Sequence, residues 1–193
     1  MNWVFKNIAR IVPFSVALGF ILWRFLPVNR LLGHDYSHYM ARIYLGTDHY
    51  WKNGFRTPHF TPYLCGGMPF YADPQAVYHS LPQLLAFFLP PLFSTHLTFA
   101  LFYVLGYWGF IRLFREVFGY SERIAHFASL IFVFNGFAFM HLYVGHVTHH
   151  PFLLAPWVLY ALLKNPKNHV FHQAAILILA VSYTLYAGGM HVL

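Results

Sequence analysis

The chain alternates between long apolar runs and polar breaks. A bilayer-crossing helix needs about 20 apolar residues, and runs of that order fall at 11–28, 93–111, 124–144, 147–163 and 170–193. Five membrane-spanning helices in an all-α polytopic bundle are the expected architecture. His149 and His150 interrupt the fourth run, and Asn135-Gly136 is the polar break nearest the centre of a run. The first run reads as a span rather than a cleaved signal. No small-x-small site follows it, and Trp23, Arg24 and Phe25 occupy that place.

Residues 29–80 form a long loop between the first two runs, and the loop has internal order. Tyr36, Tyr39, Met40, Ile43 and Tyr44 share one face at helical spacing. They predict an interfacial helix beginning at Asp35, with Gly46 ending it. Gly54, Pro58, Pro62, Gly66, Gly67 and Pro69 then exclude regular helix. Ser80-Leu-Pro-Gln opens a second short helix, with proline in its first turn, and Pro90-Pro91 stops it. Two surface helices therefore flank a Gly/Pro-rich cap.

Lysine and arginine set the orientation. Lys6 and Arg10 precede the first run, Arg112, Arg115 and Arg123 separate the second from the third, and Lys164 and Lys167 separate the fourth from the fifth. With alternating spans all three groups share one side, which the positive-inside rule makes cytoplasmic. The amino terminus is then cytoplasmic, and 29–80 and the turn at 145–150 are extracytoplasmic. Arg24, Arg30, Arg42, Lys52 and Arg56 fall outside on this reading, where a long folded loop is less bound by the rule.

Composition agrees. Hydrophobic residues make up 59%, aromatic 21% and charged 9%, against about 25% charged in a soluble domain. So few charges cannot cover a soluble globule, which makes this an integral membrane protein. The net charge of +7 is dispersed between apolar runs and forms no stripe for nucleic acid. Most of the fourteen histidines, His34 and His146 among them, lie in or near the outer segments. They suit either a metal site or interfacial hydrogen bonding to headgroups and backbone. The chain has no His-Glu-x-x-His, no DxD pair and one cysteine, Cys65, read as a small buried residue. Hence no cofactor is required, no metal ligand is assigned, and a divalent ion is possible without support from a motif.

All three aspartates, Asp35, Asp48 and Asp73, lie in the outer loop, while Glu116 and Glu122 sit in one basic segment further on. In lipid, ionisable groups are retained where they function. Each aspartate also has a plainer reading. Asp35 suits a helix N-cap, Asp48 after Gly-Thr suits a turn, and Asp73-Pro is a turn signal.

The stretch 51–69, with Ala72-Asp-Pro-Gln and Leu81-Pro, resembles the first periplasmic loop of YfhO-like bacterial membrane proteins of the GT-C glycosyltransferase superfamily. Gly145-His146 before Pro151, Ala155-Pro-Trp, and Ala187-Gly-Gly-Met-His191 are similar to later parts of that pattern. The resemblance implies sugar transfer from a polyprenyl-phosphate carrier to an acceptor on the outer face of the bacterial cytoplasmic membrane. It places Asp35 as catalytic base, preceded by Gly-His where the family often has Gly-Asp, with Asp48 as the next candidate. Such a transfer needs a base for the acceptor proton and cations for the leaving phosphate. Arg42, Lys52 and Arg56 are the candidate cations, with His34 and His146 as further substrate-binding residues. The family's members have about twice as many spans, so 1–193 is expected to be one transmembrane domain, the N-terminal part of a larger module. The alternatives are a non-catalytic envelope scaffold and, behind it, a transporter, which would bury ionisable groups near the midplane. No motif names the sugar, the acceptor or an oligomeric state.

Overall fold

The computed structural model describes residues 2–24, 33–70, 73, 75–165 and 170–190, with side chains in the first helix from Ile11 onward. Residues 25–28 of the first predicted span and His191 of the last motif lie outside the described residues. Among the described residues the regular structure is all-helical apart from a hairpin of two two-residue strands. In order it forms α1 (Asn2–Arg24), α2 (Asp35–Asn53), β1 (Phe60–Thr61), β2 (Met68–Pro69), α3 (Leu81–Leu85), α4 (Pro91–Arg112), α5 (Glu122–Val133), α6 (Gly136–Val144), α7 (Ala155–Leu163) and α8 (Val170–Tyr186). A π segment, Leu113–Val117, prolongs α4, and a 3₁₀ segment, Val147–Leu154, leads into α7.

Pro91–Val117 and Glu122–Val144 are long and apolar enough to cross a membrane, and Ile11–Arg24, Val147–Leu163 and Val170–Tyr186 are shorter apolar helices. A core helix of a soluble domain is mostly covered, whereas 44% and 28% of the two long stretches are buried. Large apolar side chains stay exposed along the helices, such as Trp108 on the first stretch, Phe127 and Ile131 on the second, and Ile178 and Leu179 on α8. The second stretch is broken at Asn135. Its side chain caps α6 by accepting from Ala138 N–H at 2.9 Å and donates to the Phe132 carbonyl, so one apolar run becomes two helices.

Helix α4 is the hub, packing on α1, α2, α3, α5, α7 and the 3₁₀ segment. The core joins Phe14 and Ile21 of α1 to Phe99, Phe102, Tyr103 and Tyr107 of α4, with Val133, Leu142 and Leu153. Phe14 stacks on Tyr107 at 4.3 Å. Helix α2, α3, the hairpin and the turn after α6 gather at one end of this bundle. Arg112, Arg115, Glu116 and Glu122 gather at the other, around an open cavity of about 720 Å³ that reaches Ile11.

Two expectations for the outer loop are corrected. Helix α2 does not end at Gly46 but runs on to Asn53, where Gly54 (φ 66°) closes it. Gly46 serves close approach instead: a Cβ there would lie 2.2 Å from Gln83 Oε1. Gln83 Nε2 donates to the Ile43 carbonyl at 3.2 Å and Thr47 Oγ1 at 2.9 Å, tying α3 onto α2. Cys65 is not buried. It is exposed, with φ 52°, at the tip of the hairpin. The Gly/Pro run and the start of the second short helix follow the reading. The Gly/Pro run makes an irregular cap around Phe60↔Pro69 and Thr61↔Met68 pairing. Ser80 caps α3 by accepting from Gln83 N–H, and Pro91 starts α4.

Candidate functional site

Asp35 opens α2, one position inside the helix, so it is not the N-cap. That position belongs to His34, which makes no side-chain capping bond. The Asp35 carboxylate is spent elsewhere. Its Oδ2 lies 2.6 Å from His146 Nε2 and its Oδ1 lies 3.0 Å from His34 Nε2. His146 comes from a distant part of the chain, just past α6. Two glycines let the segments meet. A Cβ on Gly33 would lie 2.5 Å from the Val144 backbone, and one on Gly145 would lie 2.6 Å from Tyr36. Gly33 N–H donates to the Tyr143 carbonyl at 3.1 Å, and Tyr36 OH donates to the Leu142 carbonyl at 2.7 Å. The start of α2 is thereby latched to the end of α6, and burial pushes the Tyr36 hydroxyl pKa well above its ordinary value.

His146 does not stand alone. His141 on the last turn of α6 and His149 on the 3₁₀ segment join it, with one ligand nitrogen from each ring within 4.8 Å of the others. His141 and His146 Nδ1 are 2.7 Å apart, and His141 stacks on His149 at 3.7 Å. Phe137 closes one side, 4.3 Å from the His141 ring. The sequence counts His141 and His149 among the outer histidines but assigns neither to a site. Their signal was the spacing His-x4-His-x2-His around a glycine, which becomes a cluster only when Gly145 takes its left-handed turn (φ 95°).

A second polar centre lies further along α2. Arg42, expected at a phosphate rim, is buried, with its side chain 5% exposed, and its guanidinium meets Asp73 at 2.6 Å. The reading of Asp73 as a turn residue holds: its Oδ1 accepts from Gln75 N–H at 2.8 Å, while Oδ2 takes the arginine. His38 and Tyr39 lie between this pair and Asp35. Burial first, then Arg42, lowers the His38 pKa, and burial raises that of Tyr39, which shares a 3.3 Å hydrogen bond with Thr148.

Asp48 is neither a turn residue nor a neighbour of Asp35. It lies mid-helix, about 20 Å further along the axis at 1.5 Å per residue, and pairs with Lys52 at 2.8 Å on an exposed face. The Asp48 hydrogen bond holds the Lys52 ammonium above its ordinary range. Both line a small cavity of about 220 Å³ against Pro58, Phe60 and Tyr63 of the cap. The Arg56 side chain is exposed, and its carbonyl accepts from His49 Nε2 at 2.7 Å and Tyr78 OH at 3.2 Å. The predicted site thus divides. Asp35, His34 and His146 come together, Arg42 joins Asp73, and Asp48 and Lys52 form a separate pair with Arg56 at the far end of the loop. No family model, curated protein or solved structure matches the chain.

Proposed function

We propose that this is an integral protein of the bacterial cytoplasmic membrane, with its amino terminus inside, that passes a sugar from a polyprenyl-phosphate carrier to an acceptor at the outer face. In this reading the five apolar stretches all span, and the Arg112–Arg123 region marks the cytoplasmic end. The exposed apolar side chains and the separation of a basic end from an aspartate-bearing end support it. The similarity of residues 51–69 to a YfhO-like loop supplies the reaction class.

The observation that carries the chemical assignment is the carboxylate of Asp35. It is fixed by the first turn of α2 and by His146, and helix capping does not consume it. A general base needs this kind of fixed placement. Asp35 takes the acceptor hydroxyl proton while the carrier phosphate departs. The polar side chains nearest to it are His34 and His146, since Lys52 lies about 25 Å further along α2 and Arg42 is committed to Asp73.

Asp35→Asn tests this in membranes carrying the full chain and supplied with polyprenyl-phosphate sugar. Transfer falls about 100-fold or more, the usual scale for loss of a general base, while the protein still inserts and folds. Near-normal transfer removes Asp35 from the mechanism. A second reading, a non-catalytic envelope scaffold, draws on the finding that all three loop aspartates are paired: Asp35 with His146, Asp48 with Lys52 and Asp73 with Arg42. Unfolding of Asp35→Asn, with no transfer by the parent, favours that reading.

A further inference from the structure

The three histidines at the α6 turn come together through local backbone geometry. Gly145 N–H and His146 N–H both donate to the His141 carbonyl, at 3.1 and 2.9 Å, as the chain reverses through its left-handed glycine. This returns His146 to the level of His141. A 3₁₀ turn follows, and residues three apart in a 3₁₀ helix eclipse, so His149 falls over His146. His149 N–H donates to the His146 carbonyl at 3.1 Å. Each of the three rings is half-buried. Imidazoles that only meet lipid headgroups have no reason to converge on one point.

The outer partner is equally specific. His146 Nε2 lies 2.6 Å from Asp35 Oδ2 and its Nδ1 faces His141, so a neutral ring that donates Nε2–H to the carboxylate offers Nδ1 as the ligand atom. A carboxylate behind one imidazole nitrogen, with the other nitrogen facing a cluster of ligands, is the outer-shell arrangement of metal-binding histidines. It fixes the tautomer and raises the ligand's basicity. Three neutral imidazoles suit borderline divalent cations, and three histidines with one open position is a recurrent zinc arrangement.

We propose that His141, His146 and His149 bind one divalent cation of the zinc type, with Asp35 as the positioning residue behind His146. Two nitrogens on one tetrahedral zinc sit roughly 3.3 Å apart, from Zn–N bonds of about 2.0–2.1 Å. Binding therefore opens the 2.7 Å contact between His141 and His146 slightly and fans the stacked His141 and His149 rings. This site does not rest on the transfer reaction, because metal binding is read with no sugar donor present.

The experiment uses the full chain in detergent with any affinity tag removed and bound metal stripped. Zinc is titrated in competition with a chromophoric chelator, and cobalt is titrated separately by visible absorption. One zinc per chain binds, and cobalt gives the intense bands of a four-coordinate imidazole set. His141→Ala and His149→Ala each weaken binding by more than about 100-fold. Asp35→Asn weakens it by about 10–100-fold, the range for outer-shell partners. His172→Ala, on exposed α8 surface, leaves it unchanged. A folded parent that binds no stoichiometric zinc overturns the proposal. So does an octahedral, water-like cobalt spectrum, or parental affinity in the His141→Ala/His149→Ala double variant. The parent's own titration and spectrum decide the matter even if a variant fails to fold.

Discussion

The two polar ends of the bundle hold their charges differently. At the aspartate-bearing end, the outer end of the proposed topology, two ion pairs join distant parts of the chain and are built into the packing. Arg42 meets Asp73 with side chains 5% and 15% exposed, and Asp35 meets His146 across the seam between α2 and α6. At the basic end, Arg112–Glu116 and Glu122–His126 are neighbours on a single helical surface. The long-range link there, Glu116 to Lys164 at 2.5 Å and to Tyr160 at 2.7 Å, sits beside an open cavity. A charge removed from the outer end leaves its partner stranded in protein, while one removed from the basic end leaves its partner in water. The outer end should therefore be brittle and the basic end tolerant.

The largest test of this contrast is Arg42→Ala or Asp73→Asn. Either leaves a buried charge unpaired, and breaking such a pair costs about 3–5 kcal/mol. Unfolding in graded denaturant, read in detergent, should show it. The double variant Arg42→Met/Asp73→Asn should recover most of the loss, because no lone charge remains. An effect no larger than that of Arg112→Ala, whose partner is exposed, would break the comparison.

Gly46→Ala comes next. The new methyl meets Gln83, which is held by two hydrogen bonds, so overpacking costs about 1–3 kcal/mol despite the roughly 1 kcal/mol that alanine gains in helix propensity. Gln83→Ala in the same chain should convert Gly46→Ala from destabilising to neutral or better, and a double-mutant cycle of unfolding free energies reads this.

Two histidines of the outer end and a lysine of the basic end titrate in opposite directions. Burial lowers the His38 and His79 pKa values below the ordinary 6.5. The unfolded chain then binds more protons than the folded one as pH falls through 6.5, so outer-end stability is present above that value and drains away below it. Lys164 behaves oppositely. Its hydrogen bond to Glu116, then that to Tyr160, raises its pKa above 10.5. Its contribution is full below 10.5 and is lost as pH rises through the folded value. Unfolding midpoints measured from pH 7 down to 5 should fall less steeply in His38→Gln than in the parent. Alkaline loss should be reduced in Lys164→Met.

The smallest effect belongs to Asp48→Asn. Its partner Lys52 is exposed, and exposed pairs of neighbouring turns contribute little. The melting temperature should match the parent's. A clear loss would show that the far half of α2 is as tightly built as the near half.

Local pattern made part of this molecule legible in advance. The apolar runs give the helices, Ser80-Leu-Pro gives the start of α3, and the Gly/Pro run gives the irregular cap, because each depends on residues a few positions apart. The three aspartates mark one loop in the sequence, and of the residues read as a site there, Asp35, His34 and His146 meet in the structure. Other features were decided by contacts between distant segments, which spacing does not encode. Gly46 looked like a helix stop until Gln83 of α3 filled the place of its side chain. Arg42 looked like a surface cation until Asp73 drew it inward. Asp48 and Asp35 looked like alternatives for one role until a continuous α2 set them far apart. The histidine cluster shows both sources at once. Its spacing is local, but the left-handed turn that closes it is pressed against Tyr36, and the carboxylate that orients it arrives from α2. Sequence determined which groups were available and which end of the bundle they occupied. The tertiary fold decided their partners, because burial forces each scarce charge to find an opposite within reach, however far away in the chain.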